Sequence, residues 1–148
     1  MLLLSDDSVT PISHADRQLQ FEQSVALDGA TDPTTLTDAV VASPAIEINL
    51  PAFNDGRGFS LARYLRLNKK YTGVLRATGN MLPDQLQAII QLGFDEVLVG
   101  DVNLARHSEQ DWLGAHRRLT DLSASLPAYV ENENGRQSIW SGRMTAVQ

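Results

Sequence analysis

The sequence predicts a single α/β domain: a small parallel sheet of about four strands alternating with helices, either an open sheet or one curled like half a barrel. Three observations lead there. Short apolar segments of strand length alternate with segments of helical period, in units of roughly twenty-five residues, which is the spacing that parallel strands joined by crossovers require. Proline and glycine fall at the joints, as at Asp32-Pro33, Pro44, Gly73, Pro83 and Gly93. The chain has 148 residues, 43% of them apolar, enough for one core.

Taken in order, residues 1–22 mix charge, serine and proline without a sustained period. They read as an N-terminal arm, with at best a short strand at Leu2–Leu4. Ser24–Leu27 is the first strand of the domain. Asp32 then caps a helix with Pro33 at its first position, where a missing N–H costs nothing. That helix carries Leu36, Ala39 and Val40 inward and stops before Pro44. Ala45–Leu50 is a strand in which Ile46, Ile48 and Leu50 alternate with Glu47 and Asn49, so one of its faces is less deeply covered. After the loop Pro51–Gly58, Ser60 is the expected N-cap of a helix with Leu61, Tyr64, Leu65 and Leu67 inward. Val74–Thr78 is the next strand. Pro83 and Asp84 open a helix containing Leu86, Ile89 and Ile90, with Gly93 just past its end. Glu96–Val99 is the last strand. Ser108, with Asp111 three residues on, starts a final helix carrying Trp112, Leu113, Leu119 and Leu122. The expected organisation is an arm at 1–22, a domain at 23–126 and a polar tail at 127–148. An edge strand left open by four strands calls for cover from the arm or from a second copy, so a homodimer is an expected assembly.

Composition narrows the function. The net charge is −6, which makes nucleic acid an unsuitable partner. There is no cysteine, so disulfides, thiolate metal sites, cysteine-held iron–sulfur clusters and thiol nucleophiles are excluded for this chain. The opening Met1-Leu2-Leu3-Leu4 is too short for a signal segment and no apolar run has membrane-spanning length, so the expected location is the cytoplasm. No serine lies in a nucleophile-elbow setting, and His14, His107 and His116 stand in no metal-ligand frame. No cofactor is predicted.

In parallel α/β sheets, ligands sit beyond the carboxyl ends of the strands. Here that rule collects Gly29, Asp32, the segment Pro51–Gly58, Gly79, Asn80, Gly100, Asp101 and Asn103. The densest candidate is Asp55-Gly56-Arg57-Gly58 with Ser60: two glycines ahead of a helix N-terminus, and an arginine able to clamp an oxyanion. Asp55 either orients that arginine or accepts a proton. Residues 57–76 hold Arg57, Arg63, Arg66, Lys69, Lys70 and Arg76 with no acid among them. This stretch suits a small anion or an acidic partner. Arg76 lies inside a predicted strand, where a buried charge needs a partner; Asp55 and Asp84 are the candidates, and anion contact is the functional alternative.

The run Phe53-Asn54-Asp55-Gly56-Arg57-Gly58-Phe59-Ser60-Leu61-Ala62-Arg63-Tyr64-Leu65-Arg66 resembles the hallmark of an uncharacterised bacterial family encoded beside assimilatory sulfite reductase. Tyr71 to Gly79, Asp84-Gln85 and Gly93-Phe94-Asp95 resemble its later signatures, in the same order, over roughly residues 25–100. Its members are labelled probable oxidoreductases involved in sulfite reduction. The residues themselves supply neither a cluster ligand set nor a nucleotide phosphate cradle. The expected function is therefore accessory: a protein of sulfite or sulfate assimilation that acts with the reductase or another sulfur-assimilation protein. The alternative is an enzyme or binder of a small anion at the strand ends.

Overall fold

The computed structural model describes residues 1–5, 8–52 and 54–124, so Phe53 and the tail from 127 onward lie outside the described residues. Its strands are β1 (Leu2–Leu4), β2 (Val9–Pro11), β3 (Ser24–Asp28), β4 (Ala45–Leu50), β5 (Val74–Gly79) and β6 (Glu96–Val99). Its helices are α1 (His14–Gln20), α2 (Asp38–Val41), α3 (Arg57–Leu67), α4 (Leu86–Gln91), α5 (Asp101–Arg106) and α6 (Glu109–Ala124). All six strands form one sheet in the order β2-β1-β6-β5-β4-β3. The expected four strands are β3 to β6, mutually parallel and adjacent in chain order. The sheet is larger than expected because β1 adds antiparallel to β6, and β2 antiparallel to β1. Three-residue strands carry too little periodicity to announce themselves, and β2 contains Pro11, which an edge tolerates. The N-terminal segment thus covers the outer edge of β6. No strand pairs with the outer edge of β3 among the described residues.

Parallel neighbours in chain order, joined by right-handed crossovers, send every connecting helix to the same face of the sheet. The buried side chains agree. Leu27, Ile46, Ile48, Leu50, Leu75, Ala77, Val97 and Val99 share one face by register and pack in one cluster with Leu61 and Leu65 of α3, Leu86, Ile89 and Ile90 of α4, and Trp112 and Leu119 of α6. Leu2 and Leu4 of β1 extend that cluster. The other face carries the alternate residues, among them Ala26, Glu47, Asn49, Arg76 and Glu96. This is the less covered face that the alternation in β4 anticipates.

Local chemistry sets the helix boundaries. Asp32 caps as expected, accepting from the Thr34 N–H at 2.8 Å, but the turn it starts is a short 3₁₀ segment, Pro33–Thr35. Thr37 then caps the separate α2. Helix α3 begins three residues before Ser60, because the Asp55 carboxylate takes up the Arg57 N–H at 3.2 Å and Gly56 serves as N-cap. Ser60 is a first-turn residue whose N–H donates to Gly56 O. Ser108 and Asp111 form the expected reciprocal cap on α6, through Ser108 N–H to Asp111 at 2.8 Å and Asp111 N–H to Ser108 Oγ at 3.3 Å. The side chain of Leu122 lies outside the described residues. Helices α1 and α5 were not anticipated; each is under two turns long, too short for a periodic signal.

Arg66 ties the helical layer to the sheet. It donates to Gly93 O at 3.0 Å, to Tyr71 O at 2.8 Å, to Gly73 O at 2.9 Å and to the Asp95 carboxylate. Asp95 also accepts the Leu75 N–H at 2.9 Å. One guanidinium so satisfies three backbone carbonyls where α3 hands over to β5 and α4 to β6, using the planar fork that lysine lacks.

No helix of the described residues is long and apolar enough to cross a membrane. At the end of β5, Gly79 has φ +108°, and a Cβ there would collide with the Leu50 carbonyl oxygen and lie 2.7 Å from Asn49 Oδ1. Gly79→Ala is therefore expected to lower the unfolding free energy by at least about 1–3 kcal/mol, measured by urea denaturation.

Candidate functional site

The strand ends that the sequence singles out do gather on one rim. Gly29 follows β3, and a Cβ on it would sit 2.7 Å from Asn49 O and 3.2 Å from Gly58 Cα. A Cβ on Gly58 would strike the Leu50 side chain and approach Gly29 Cα at 3.4 Å. These two glycines let the end of β3 press against the first turn of α3, so close packing accounts for both. Gly56 is different: a Cβ there meets nothing within 4 Å, and its φ of −70° suits any residue. The N-terminus of α3 is left sterically open at this point.

Asp55 and Arg57 close on each other. Arg57 Nε donates to Asp55 Oδ1 at 2.9 Å and Nη2 to Oδ2 at 2.6 Å, a bidentate pair. The arginine is 67% exposed, so water and salt weaken the pair's contribution to stability. Hydrogen bonds from the Arg57 side chain and backbone hold the Asp55 carboxyl down from 3.8 to about 2. Asp55 is thus a fixed anion at neutral pH, matched to orienting Arg57. On the same rim, α5 contributes Asn103, which donates to Gly79 O at 2.7 Å, and Arg106, which donates to Asn80 Oδ1 at 3.0 Å. Asp101 accepts from the N-terminal ammonium at 3.1 Å and faces His14 Nε2 at 2.8 Å. His14 and then the ammonium lower its pKa.

Arg76 belongs to another place. Its expected partners were Asp55 and Asp84, but it pairs with Glu96, through Nε at 2.9 Å and Nη2 at 2.8 Å, and with Glu47 at 3.6 Å. The reason is register: Ala26, Glu47, Arg76 and Glu96 lie side by side on four adjacent strands, on the face without the connecting helices. Cross-strand neighbours are held within reach by the ladder itself, whereas a strand-end carboxylate is not. Arg76 Nη1 also donates to Ser24 Oγ at 3.2 Å, and the Phe21 ring lies over its guanidinium at 3.5 Å. Arg76 is only 4% exposed and Glu47 only 9%. Removing one member of such a buried pair costs about 3–5 kcal/mol, because the other is left uncompensated.

Above this row runs α1. Arg17 donates from Nη2 to Glu47 Oε1 at 2.7 Å, so Glu47 is held between two guanidinium groups. Arg17, Gln18, Leu19, Phe21, Glu22, Ser24, Ala26 and Glu47 line a cleft of about 580 Å³ between α1 and strands β3 and β4. Sequence reasoning missed Arg17, Phe21, Glu47 and Glu96 as a group. The available signal was the like phase of Ile46-Glu47-Ile48 and Leu75-Arg76-Ala77, which places opposite charges on one face if the strands align in step.

The basic stretch 57–76 therefore does not form one cationic surface. Arg57 is given to Asp55, Arg66 to Asp95 and backbone carbonyls, and Arg76 to Glu96 and Glu47; Arg63 and Lys70 are exposed. Among the described residues no group of three or more histidine or carboxylate side chains is arranged to hold a metal ion. Arg57→Ala is expected to return the Asp55 carboxyl from about 2 toward its ordinary 3.8, read by a carbon-detected NMR titration. Because the folded-state value is the lower one, the pair's contribution is present above pH 4 and fades as pH falls through 2. The Arg57→Ala variant should show less acid dependence of stability in that window.

Comparison with known proteins adds one match. The sequence model of the family described as "Bacterial protein of unknown function (DUF934)" matches residues 24–134, about three quarters of the chain. No curated protein and no solved structure matches. The matched span runs from the first parallel strand through the glycine–arginine loop and the whole of α6, and on that ground the chain belongs to the DUF934 family of bacterial proteins.

Proposed function

We propose that this chain is an accessory protein of assimilatory sulfite or sulfate reduction, working in the cytoplasm by binding the reductase or another sulfur-assimilation protein without itself transferring electrons. The pathway rests on the resemblance of Asp55 to Arg66, Tyr71 to Gly79 and Gly93 to Asp95 to signatures found beside sulfite reductase. The mode of action rests on one observation: three arginines of these signatures, Arg57, Arg66 and Arg76, are engaged by carboxylates. Asp55 holds Arg57, Asp95 holds Arg66, and Glu96 and Glu47 hold Arg76. A general acid or base needs a pKa near the working pH, and the Asp55 carboxyl, at about 2, is far from it. Saturated pairs of this kind build a fixed surface better than they drive a reaction.

Two experiments together test this reading. A strain lacking the chain should grow poorly on sulfite or sulfate as sole sulfur source, and the purified chain should bind the purified sulfite reductase of the same organism in calorimetry. Normal growth with no detectable binding discards the proposal.

A second reading has its own support. The N-terminus of α3 is sterically open at Gly56, and Arg57 stands exposed beside it, a setting that suits a small oxyanion. On this reading sulfite, sulfate, phosphate or a sugar phosphate raises the melting temperature, and Arg57→Ala abolishes the shift. No shift with any of these anions removes it.

A further inference from the structure

We propose that α1 is a lid, clamped by charge over the helix-free face of the sheet, which opens by releasing Arg17 from Glu47 while the Glu47–Arg76–Glu96 row beneath stays closed.

The way α1 is held points to this. It contributes no buried residue, and its one large apolar side chain, Leu19, is 75% exposed. A helix seated on a core presents an apolar stripe; this one does not. What joins the α1 segment to the rest of the fold is ionic: His14 to Asp101 of α5 at 2.8 Å at one end, Arg17 to Glu47 of β4 at 2.7 Å, and Phe21 over the Arg76 guanidinium at the other end. The flanks are firmer. Ile12 is buried and donates to Met1 O at 3.0 Å, while Phe21 O accepts the Ser24 N–H at 2.9 Å as β3 begins. The segment between them is a strap fixed at both ends and loosely seated along its length.

The space beneath supports the same conclusion. An open cleft of about 580 Å³ lies between Arg17, Gln18, Leu19 and Phe21 on one side and Ser24, Ala26 and Glu47 on the other. The two arginines on Glu47 also differ in exposure in the order that opening requires. Arg17 is 40% exposed, so water replaces Glu47 as its partner at little cost. Arg76 is buried, and Glu47 and Glu96 remain its partners after Arg17 leaves. Breaking the outer link leaves Glu47 beside Arg76 at 3.6 Å, and lifting α1 opens the Glu47 oxygen that Arg17 leaves to water. Lifting α1 uncovers Glu47 and Arg76, the two buried members of the row, and enlarges the cleft. This conclusion stands independently of any role in sulfite reduction.

Hydrogen exchange followed by mass spectrometry on the full chain tests it. In Arg17→Met, which keeps the aliphatic stem, amides of residues 14–21 should exchange at least roughly two- to five-fold faster, the factor that even an exposed ion pair is worth. Those of β4 and β5 should not change. In the unaltered chain, 1 M sodium chloride should produce the same local acceleration by screening the exposed pairs, so the outcome does not depend on the variant folding. Residues 14–21 that respond to neither the substitution nor salt overturn the proposal. So does acceleration that spreads equally to β4 and β5, since α1 then opens only with the sheet.

Discussion

Parallel strands laid down in chain order commit every connecting helix to the same side of the sheet, and most of what is distinctive here follows from that constraint. One face acquires the core, with α3, α4 and α6 packed over Ile46, Ile48, Leu75, Ala77 and Val97. The other receives no crossover at all. A chain with this topology must either make that face polar or cover it with something outside the repeating units. This one does both: a row of alternating charges on β4, β5 and β6, and an N-terminal segment that carries α1 across it.

The charged row is a stable solution because its members were placed by the ladder. Arg76 lies between Glu47 and Glu96 on adjacent strands at matching register, so backbone hydrogen bonding fixes the reach of each pair before any side chain is ordered. Ser24 Oγ and the Phe21 ring complete the surroundings of the guanidinium. The contrast with Arg57 is instructive. That arginine pairs two residues away in sequence, on the surface, and its effect is to fix a loop and the start of α3. Two arginines from one basic stretch thus act in different parts of the molecule.

The parallel core was legible in the sequence because its signals are local and repeated. Ala45–Leu50 and Glu96–Val99 match the expected strands, since each combines β-branched or aliphatic residues with clear turn chemistry at both ends. The α6 cap was legible for the same reason. Helix α3 was misjudged at its start because Gly56, which has no capping side chain, is its N-cap, while Asp55 just before it takes the Arg57 N–H. The partners of Arg76 could not be read, because cross-strand register is a tertiary property: Glu47 and Glu96 stand 29 residues before and 20 residues after it. Helix α1 escaped notice because an amphipathic period is the usual sign of a helix, and a segment held by ions does not display one.

Strand β1 gives the molecule a fixed order of assembly. Strands β3 to β6 each pair with a neighbour of nearby sequence, so their loops close early and cheaply. Leu2–Leu4, made before the other strands of this sheet, has its place beside Val97–Val99, in the last of the four parallel strands in the sequence. The earliest-made strand must therefore wait for the latest. Until it docks, a nascent chain presents a bare β6 flank, and the segment that becomes the lid has nothing to hold its leading end.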